Sequence, residues 1–245
     1  MRIRVLLSTM AAMAAMTMAV MSSSHAATGL QLSPKEALGR KLFLDKNLSE
    51  PKGQACASCH DQSRAFSDPR PGATSEGVIP GLFGPRNAPS AMYNVLTPPL
   101  LPGGDGGKKG FSGGFFRDGR VDFIEDQAKQ PFLNPIEMAN PDAAAVVAKV
   151  KVAKYAADFV AVYGAGVFND TDTAYNAVAD ALGAFERGKT FQPFNSKFDA
   201  YQRGEATLTD AEMRGLAAFV APDKGNCAAC HSPTSPEKGG RRSVF

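Results

Sequence analysis

"CASCH", Cys56 to His60, recurs near the end of the chain as "CAACH", Cys227 to His231. These two stretches hold all four cysteines of the 245 residues and two of the three histidines; the third, His25, falls in an N-terminal leader. On a helical turn, residues i, i+3 and i+4 share a face, so two thiols can reach one flat ring while the next imidazole turns toward its centre. Other uses of a Cys-x-x-Cys pair compete with that reading. Paired zinc motifs usually stand about 15–20 residues apart, whereas most of the chain separates these two. A thioredoxin-like pair needs a βαβ setting, and no strand-rich pattern flanks either motif. Simple disulfides are the default in an oxidising compartment, but they leave the histidine after each pair unexplained. C-x-x-C-H is the spacing of covalent c-type haem attachment. Two haems are therefore expected, one anchored by Cys56 and Cys59 with His60 on its iron, the other by Cys227 and Cys230 with His231.

The leader supports export. Arg2 and Arg4 precede an apolar run from Val5 to Met21, and Ser24-His25-Ala26 supplies small residues at a cleavage site, so residues 1–26 read as a cleaved signal peptide and the protein as periplasmic. No later segment is apolar enough to cross a bilayer, and no stable membrane insertion is expected. The formal charge of +3 includes Arg2 and Arg4. The remaining chain is close to neutral, which gives nucleic-acid binding no electrostatic support.

An internal repeat frames the two motifs. Leu32 to Phe43 and Leu208 to Phe219 share the pattern L-[ST]-x-x-E-x-x-G-x-x-x-F. Each copy opens with a capping box, Ser33 with Glu36 and Thr209 with Glu212, and Pro34 suits the first helical position of the first copy. Further helical patterns cover Val121 to Lys129, Asp142 to Tyr163 and Thr173 to Arg187. Asp61 to Leu101 is rich in Pro, Gly and Ser without periodicity, the kind of long loop that a functional pocket orders. "PGGDGGKKG", Pro102 to Gly110, neither follows a strand nor has phosphate-loop spacing, and reads as an exposed turn. The expected class is all-α: two cytochrome c-like haem domains in tandem with long loops. The N-terminal haem domain runs over 27–203. The C-terminal electron-transfer domain runs over 204–245 and is incomplete.

At "CASCHDQSRAFSD", "GPRNAPSAMYN", "FFRDGR" and "EDQAKQPFLNPIEM" the chain resembles the bacterial di-haem cytochrome c peroxidase family, including its MauG-like branch. The resemblance runs from about Leu32 to the end. It implies that hydrogen peroxide reacts at the N-terminal haem and that the C-terminal haem relays electrons from a small donor, a cytochrome c or cupredoxin. It implies that His60 is the proximal ligand of the first haem and that Glu137, in "NPIEM", is the acid-base residue on its open side, taking a proton from peroxide and returning it to the leaving oxygen. Gln127 and Pro131 match other residues lining that pocket, and Arg120 suits a haem propionate, which a guanidinium grips bidentately. Calcium between the domains and a homodimer also follow from the resemblance. The MauG-like alternative takes its electrons from a partner protein and so modifies it; a non-enzymatic electron-transfer cytochrome or inactive fragment is the third.

The sequence departs from the family's pattern in three places. Classical members cap the peroxidatic iron with a second histidine, but no histidine lies between His60 and His231, so an open, high-spin first haem is expected, as in the MauG-like branch. The tryptophan of F-W-D-G-R is replaced by Arg117, and the chain has no Trp; tunnelling through packed atoms, or a route via Tyr93 or Phe116, is the expected substitute. Members usually continue well past the second motif to supply a Met or Tyr ligand, and no Met, Tyr or His follows His231; the expectation is a chain shortened at its C-terminus.

Overall fold

The computed structural model describes residues 31–102, 110–231 and 233. The expected signal peptide, the body of the glycine-rich turn and nearly all of the polar tail after His231 lie outside the described residues. Eight α-helices in this part carry the fold: α1 (Pro34–Leu44), α2 (Cys56–Cys59), α3 (Ile124–Leu133), α4 (Ala143–Lys151), α5 (Ala156–Tyr163), α6 (Thr171–Glu186), α7 (Lys197–Arg203) and α8 (Asp210–Val220). A two-residue antiparallel ribbon, β1 (Leu101–Pro102) and β2 (Phe111–Ser112), pairs Leu101 with Ser112 and Pro102 with Phe111. None of the described helices is long and apolar enough to cross a membrane.

Helix starts are set by local chemistry. Ser33 Oγ accepts the Glu36 amide while the Glu36 carboxylate accepts the Ser33 amide at 2.7 Å. The same reciprocal box opens α8 through Thr209 and Glu212, as the repeat implied. Asp142 caps α4 and Asp170 caps α6. Gly204, at φ +80, ends α7 in the left-handed conformation that favours glycine.

The core is the crossing of α1 and α6. Leu38, Leu42 and Phe43 on α1 meet Val178, Leu182 and Phe185 on α6, all buried. Gly39 makes the approach possible, because a Cβ there would lie 1.9 Å from the Ala181 carbonyl oxygen. Each fully buried Leu or Phe contributes roughly 1.5–3 kcal/mol. Phe43, Phe66, Phe185 and Phe191 form one aromatic cluster, with Phe66 stacked on Phe191 at 3.8 Å between centroids.

The expected helix from Asp142 to Tyr163 is two helices. Val152, 85% exposed, closes α4, and Tyr155 turns inward, its hydroxyl donating to Asp45 at 2.7 Å. A continuous helix would carry Tyr155 off that contact. The two copies of the repeat also differ in surroundings. Phe43 is buried and Gly39 is in close contact, whereas α8 buries no residue among those described and Gly215 faces open space.

Candidate haem sites and the cleft at Glu137

The first C-x-x-C-H is folded as its spacing requires. Cys56 to Cys59 form the single turn of α2, and the His60 amide donates to the Cys56 carbonyl at 2.9 Å, bringing both thiols and the imidazole to one side. Both thiols are free. His60 Nδ1 lies 3.0 Å from the Phe66 carbonyl oxygen, and the Pro89 carbonyl is a second backbone acceptor for the ring; a proton on Nδ1 leaves Nε2 as the nitrogen with a lone pair for a metal. Burial pushes the His60 pKa below its usual value, partly opposed by the Phe66 carbonyl, the charge of Asp68 and the Pro89 carbonyl, so the ring is neutral and able to ligate. Arg70 donates to Cys59 Sγ at 3.2 Å and grips Asp68 through two nitrogens. Burial alone would raise the Asp68 carboxyl, but the Arg70 bonds prevail and hold it at about 2. Buried Gln54 also reaches Cys59, at 3.4 Å, while its amide oxygen has no partner. This donor set and its aromatic backing fit a covalently held haem.

Glu137 stands in the loop after α3. Its carboxylate forms no hydrogen bond or ion pair among the described residues, and burial raises its pKa, partly opposed by the positive charge of Arg120. Both Glu137 and Glu186 are near enough to Cys56 to raise that thiol, after the larger effect of burial. Glu137 opens on a cleft of ≈ 470 Å³, shared with Arg120, Phe116 and Tyr175 and with residues of α3 and its C-terminal end. Arg120 lies over the Phe116 ring at 3.7 Å and pairs with Asp118 at 2.8 Å. Gln127 and Pro131 sit half-buried on α3 and do not line the cleft.

The backbone at Glu137 is fixed from the loop of residues 75–84. Val78 donates its amide to the Glu137 carbonyl at 2.8 Å, and Gly77 is in contact with the Ile136 carbonyl. From the other side, Glu50 donates its amide to the Met138 carbonyl at 2.8 Å. Asn140 bonds the Leu48 and Phe132 carbonyls and accepts Lys149 Nζ at 2.6 Å.

The second motif is a 3-10 turn, Cys227–Ala229, followed by Cys230 and His231, with the His231 amide donating to the Cys227 carbonyl at 2.8 Å. Cys230 and His231 are exposed, and α8 packs on this turn. The same amide-to-carbonyl bond, from His60 to Cys56, closes the first motif. Among the described residues no group of three or more His, Cys, Asp or Glu side chains stands together as a cation site.

Sequence reasoning passed over Glu186, Arg70 and Gly77. Glu186 did leave a signal, because it continues the apolar stripe Val178, Leu182, Phe185 of α6 as a charged residue. Arg70 and Gly77 left none, since their partners are set by a loop without periodicity.

A helical chain with two such turns, one of them near a desolvated carboxylate, defines a class of di-haem redox proteins. The chain belongs to the di-haem cytochrome c peroxidase family, whose model matches residues 33–207. It is 42% identical over 200 residues to the methylamine utilization protein MauG of Paracoccus denitrificans, covering 80% of this chain and 50% of that one. It is 34% identical to the cytochrome c peroxidase Ccp of Escherichia coli, covering 80% and 37%. The crystal structure of the diheme peroxidase BthA from Burkholderia thailandensis superposes with a TM-score of 0.77 at 37% identity, over 88% of this chain and 53% of that one. The chain thus spans about half the length of these relatives or less.

Proposed function

We propose that this protein is an exported di-haem peroxidase, with haem units over 27–203 and 204–245, that reduces hydrogen peroxide to water at the site of His60 and Glu137. Its electrons come through the second site from a small donor protein, a cytochrome c or cupredoxin. The observation that carries this is Glu137: a carboxylate without a hydrogen bond among the described residues, desolvated, held by its backbone and open to a cleft.

Cys56 and Cys59 would hold the first haem as thioethers and His60 Nε2 would ligate its iron; Cys227, Cys230 and His231 would do the same for the second. A bound haem supplies an iron centre that takes up peroxide and yields electrons to it. The chain's own contribution is proton transfer and placement. Glu137 takes a proton from one peroxide oxygen and gives it to the other, so that the O–O bond breaks with water as the leaving group. Its raised pKa makes that return easier than for an ordinary carboxylate, and Arg120 limits the rise. The Phe66 carbonyl keeps the His60 ring in one orientation and tautomer. Over a full turn, H2O2, two electrons and two protons become two molecules of water.

A second reading, oxidation of a partner protein, is favoured by the 42% identity to MauG and by the absence of any histidine between His60 and His231. Mixing the haem-loaded protein with peroxide and a reduced cytochrome separates the two. Sustained oxidation of the cytochrome supports the peroxidase; an oxidised spectrum that persists without turnover supports the second reading. Failure to consume peroxide overturns both.

A further inference from the structure

In the stretch "FFRDGR" the side chain after Phe116 is Arg117, which cannot carry an electron by being oxidised, and no tryptophan exists elsewhere. Arg117 is exposed and its guanidinium is engaged with Asn87, at 3.1 Å from Oδ1. A different connection between the two attachment turns is continuous. His60 Nδ1 meets the Phe66 carbonyl at 3.0 Å. The Phe66 ring stacks on Phe191 at 3.8 Å. The Phe191 carbonyl accepts the Tyr93 amide at 2.9 Å. The Tyr93 ring lies 5.0 Å from Phe194, whose backbone hydrogen-bonds the phenol oxygen. Two residues on, Ser196 opens α7. That helix is tied to α8 by Lys197 and Glu212 at 2.6 Å, and its Gln202 donates to the Pro233 carbonyl, two residues past His231.

We infer that Tyr93 is the oxidisable station on the electron route between the two haem sites, a role that rests on the peroxidase reading above. Tyr93 is the residue of this line where the ring cluster behind His60 meets the segment leading to His231, and phenylalanine rings on either side of it are far harder to oxidise. The backbone supports a dedicated placement: Tyr93 has φ +60, in the left-handed region, and opens the 3-10 turn Asn94–Leu96. A non-glycine residue is held there only where its surroundings fix it, and here the Phe191 carbonyl and the Phe194 contact do so. In each pass Tyr93 gives one electron toward the peroxide-oxidised first site and its phenolic proton to solvent, which reaches the half-exposed ring. One electron from the second site and one proton from solvent restore the phenol. Two passes supply the two electrons that convert H2O2 and two protons to two waters, with hydrogen peroxide as the oxidant and the donor protein as the reductant.

The test is rapid freeze-quench electron paramagnetic resonance on the haem-loaded protein after one equivalent of hydrogen peroxide, with and without ring-deuterated tyrosine. The expected result is a tyrosyl signal that narrows on deuteration, persists in Tyr201→Phe and is lost in Tyr93→Phe. Tyr201, on α7 beside Phe198, serves as the control for a tyrosine off the join. Reduction of the peroxide-oxidised protein by its donor should slow at least ten-fold in Tyr93→Phe, at unchanged haem content. A tyrosyl signal and reduction rate that survive in Tyr93→Phe overturn the role of Tyr93, as does the absence of any tyrosyl signal. If peroxide leaves the haem absorption spectrum unchanged, the peroxidase reading falls and this route falls with it.

Discussion

Val78 and Glu137 are joined backbone to backbone, amide to carbonyl at 2.8 Å, and Gly77 beside them leaves no room for a side chain: a Cβ there would lie 1.5 Å from the Ile136 carbonyl oxygen. The loop of residues 75–84 therefore sets where the Glu137 carboxylate stands. In Gly77→Ala this contact must open, displacing the backbone on both sides. We expect a loss of about 1–3 kcal/mol of stability, as for other overpacked sites, in urea unfolding. Stopped-flow mixing of the haem-loaded variant with peroxide should also show a slower reaction. A variant that unfolds at the parent's urea midpoint would show that the contact is not the constraint described.

Glu137→Gln keeps the shape of the side chain and removes its ability to exchange a proton. General acid–base catalysis is typically worth 10²–10⁴-fold, so peroxide reduction should fall by about that factor while haem content stays the same. The parent's rate has a pH signature as well. In the proposed mechanism Glu137 must be ionised to accept the first proton, so the rate should rise with pH through its pKa. Burial, partly opposed by Arg120, places that break above the ordinary value of a glutamate. The Gln variant should lack the break, and an unchanged rate would remove Glu137 from the mechanism.

How much of this was legible in the sequence depends on the range of the interaction. The caps of α1 and α8 were legible because Ser33 with Glu36 and Thr209 with Glu212 act within one turn. The gathering of Cys56, Cys59 and His60 was legible for the same reason. The break between α4 and α5 was not, because Tyr155 is turned inward by Asp45, far away in sequence. The fixing of Glu137 by Gly77 and Val78 was equally hidden, since the loop carrying them has no periodicity. Glu186 stands between these cases: its place on an apolar stripe was visible, but its neighbours Asn94 and Cys56 come from other segments.

Asn140, 2% exposed, ties three segments together by donating to the Leu48 and Phe132 carbonyls and accepting from Lys149. Asn140→Leu would leave the Leu48 carbonyl without its partner, while the Phe132 carbonyl keeps the Asn140 backbone amide and Lys149 keeps the Ser49 carbonyl and Glu50. Each buried group left unsatisfied costs about 1–3 kcal/mol, and solvent can reach part of Lys149. We expect a net loss of about 1–3 kcal/mol in urea unfolding. The variant should also react more slowly with peroxide, because Asn140 stands three residues from Glu137. A loss below about 1 kcal/mol would mean that water replaces the amide.

Glu186 gives the fold a pH dependence opposite in sign to that of a salt-bridged carboxylate. It is 7% exposed. Burial raises its pKa from 4.5 to about 7, against the opposing hydrogen bond from Asn94 and the charge of Arg187, with Glu125 adding to the rise. Between those two values the folded chain holds a proton that the unfolded chain has released. Stability therefore falls as pH rises through this window. At 1.36 kcal/mol per pKa unit, this group contributes a loss of about 3 kcal/mol between its unfolded pKa and neutral pH. Glu186→Gln carries no titrating group and should remove that part of the slope, so that the variant gains on the parent with rising pH. Urea unfolding of both proteins at intervals across this range measures the difference directly. Parallel curves would show that Glu186 is ionised in the folded protein throughout, with a counter-charge closer than Arg187 now provides.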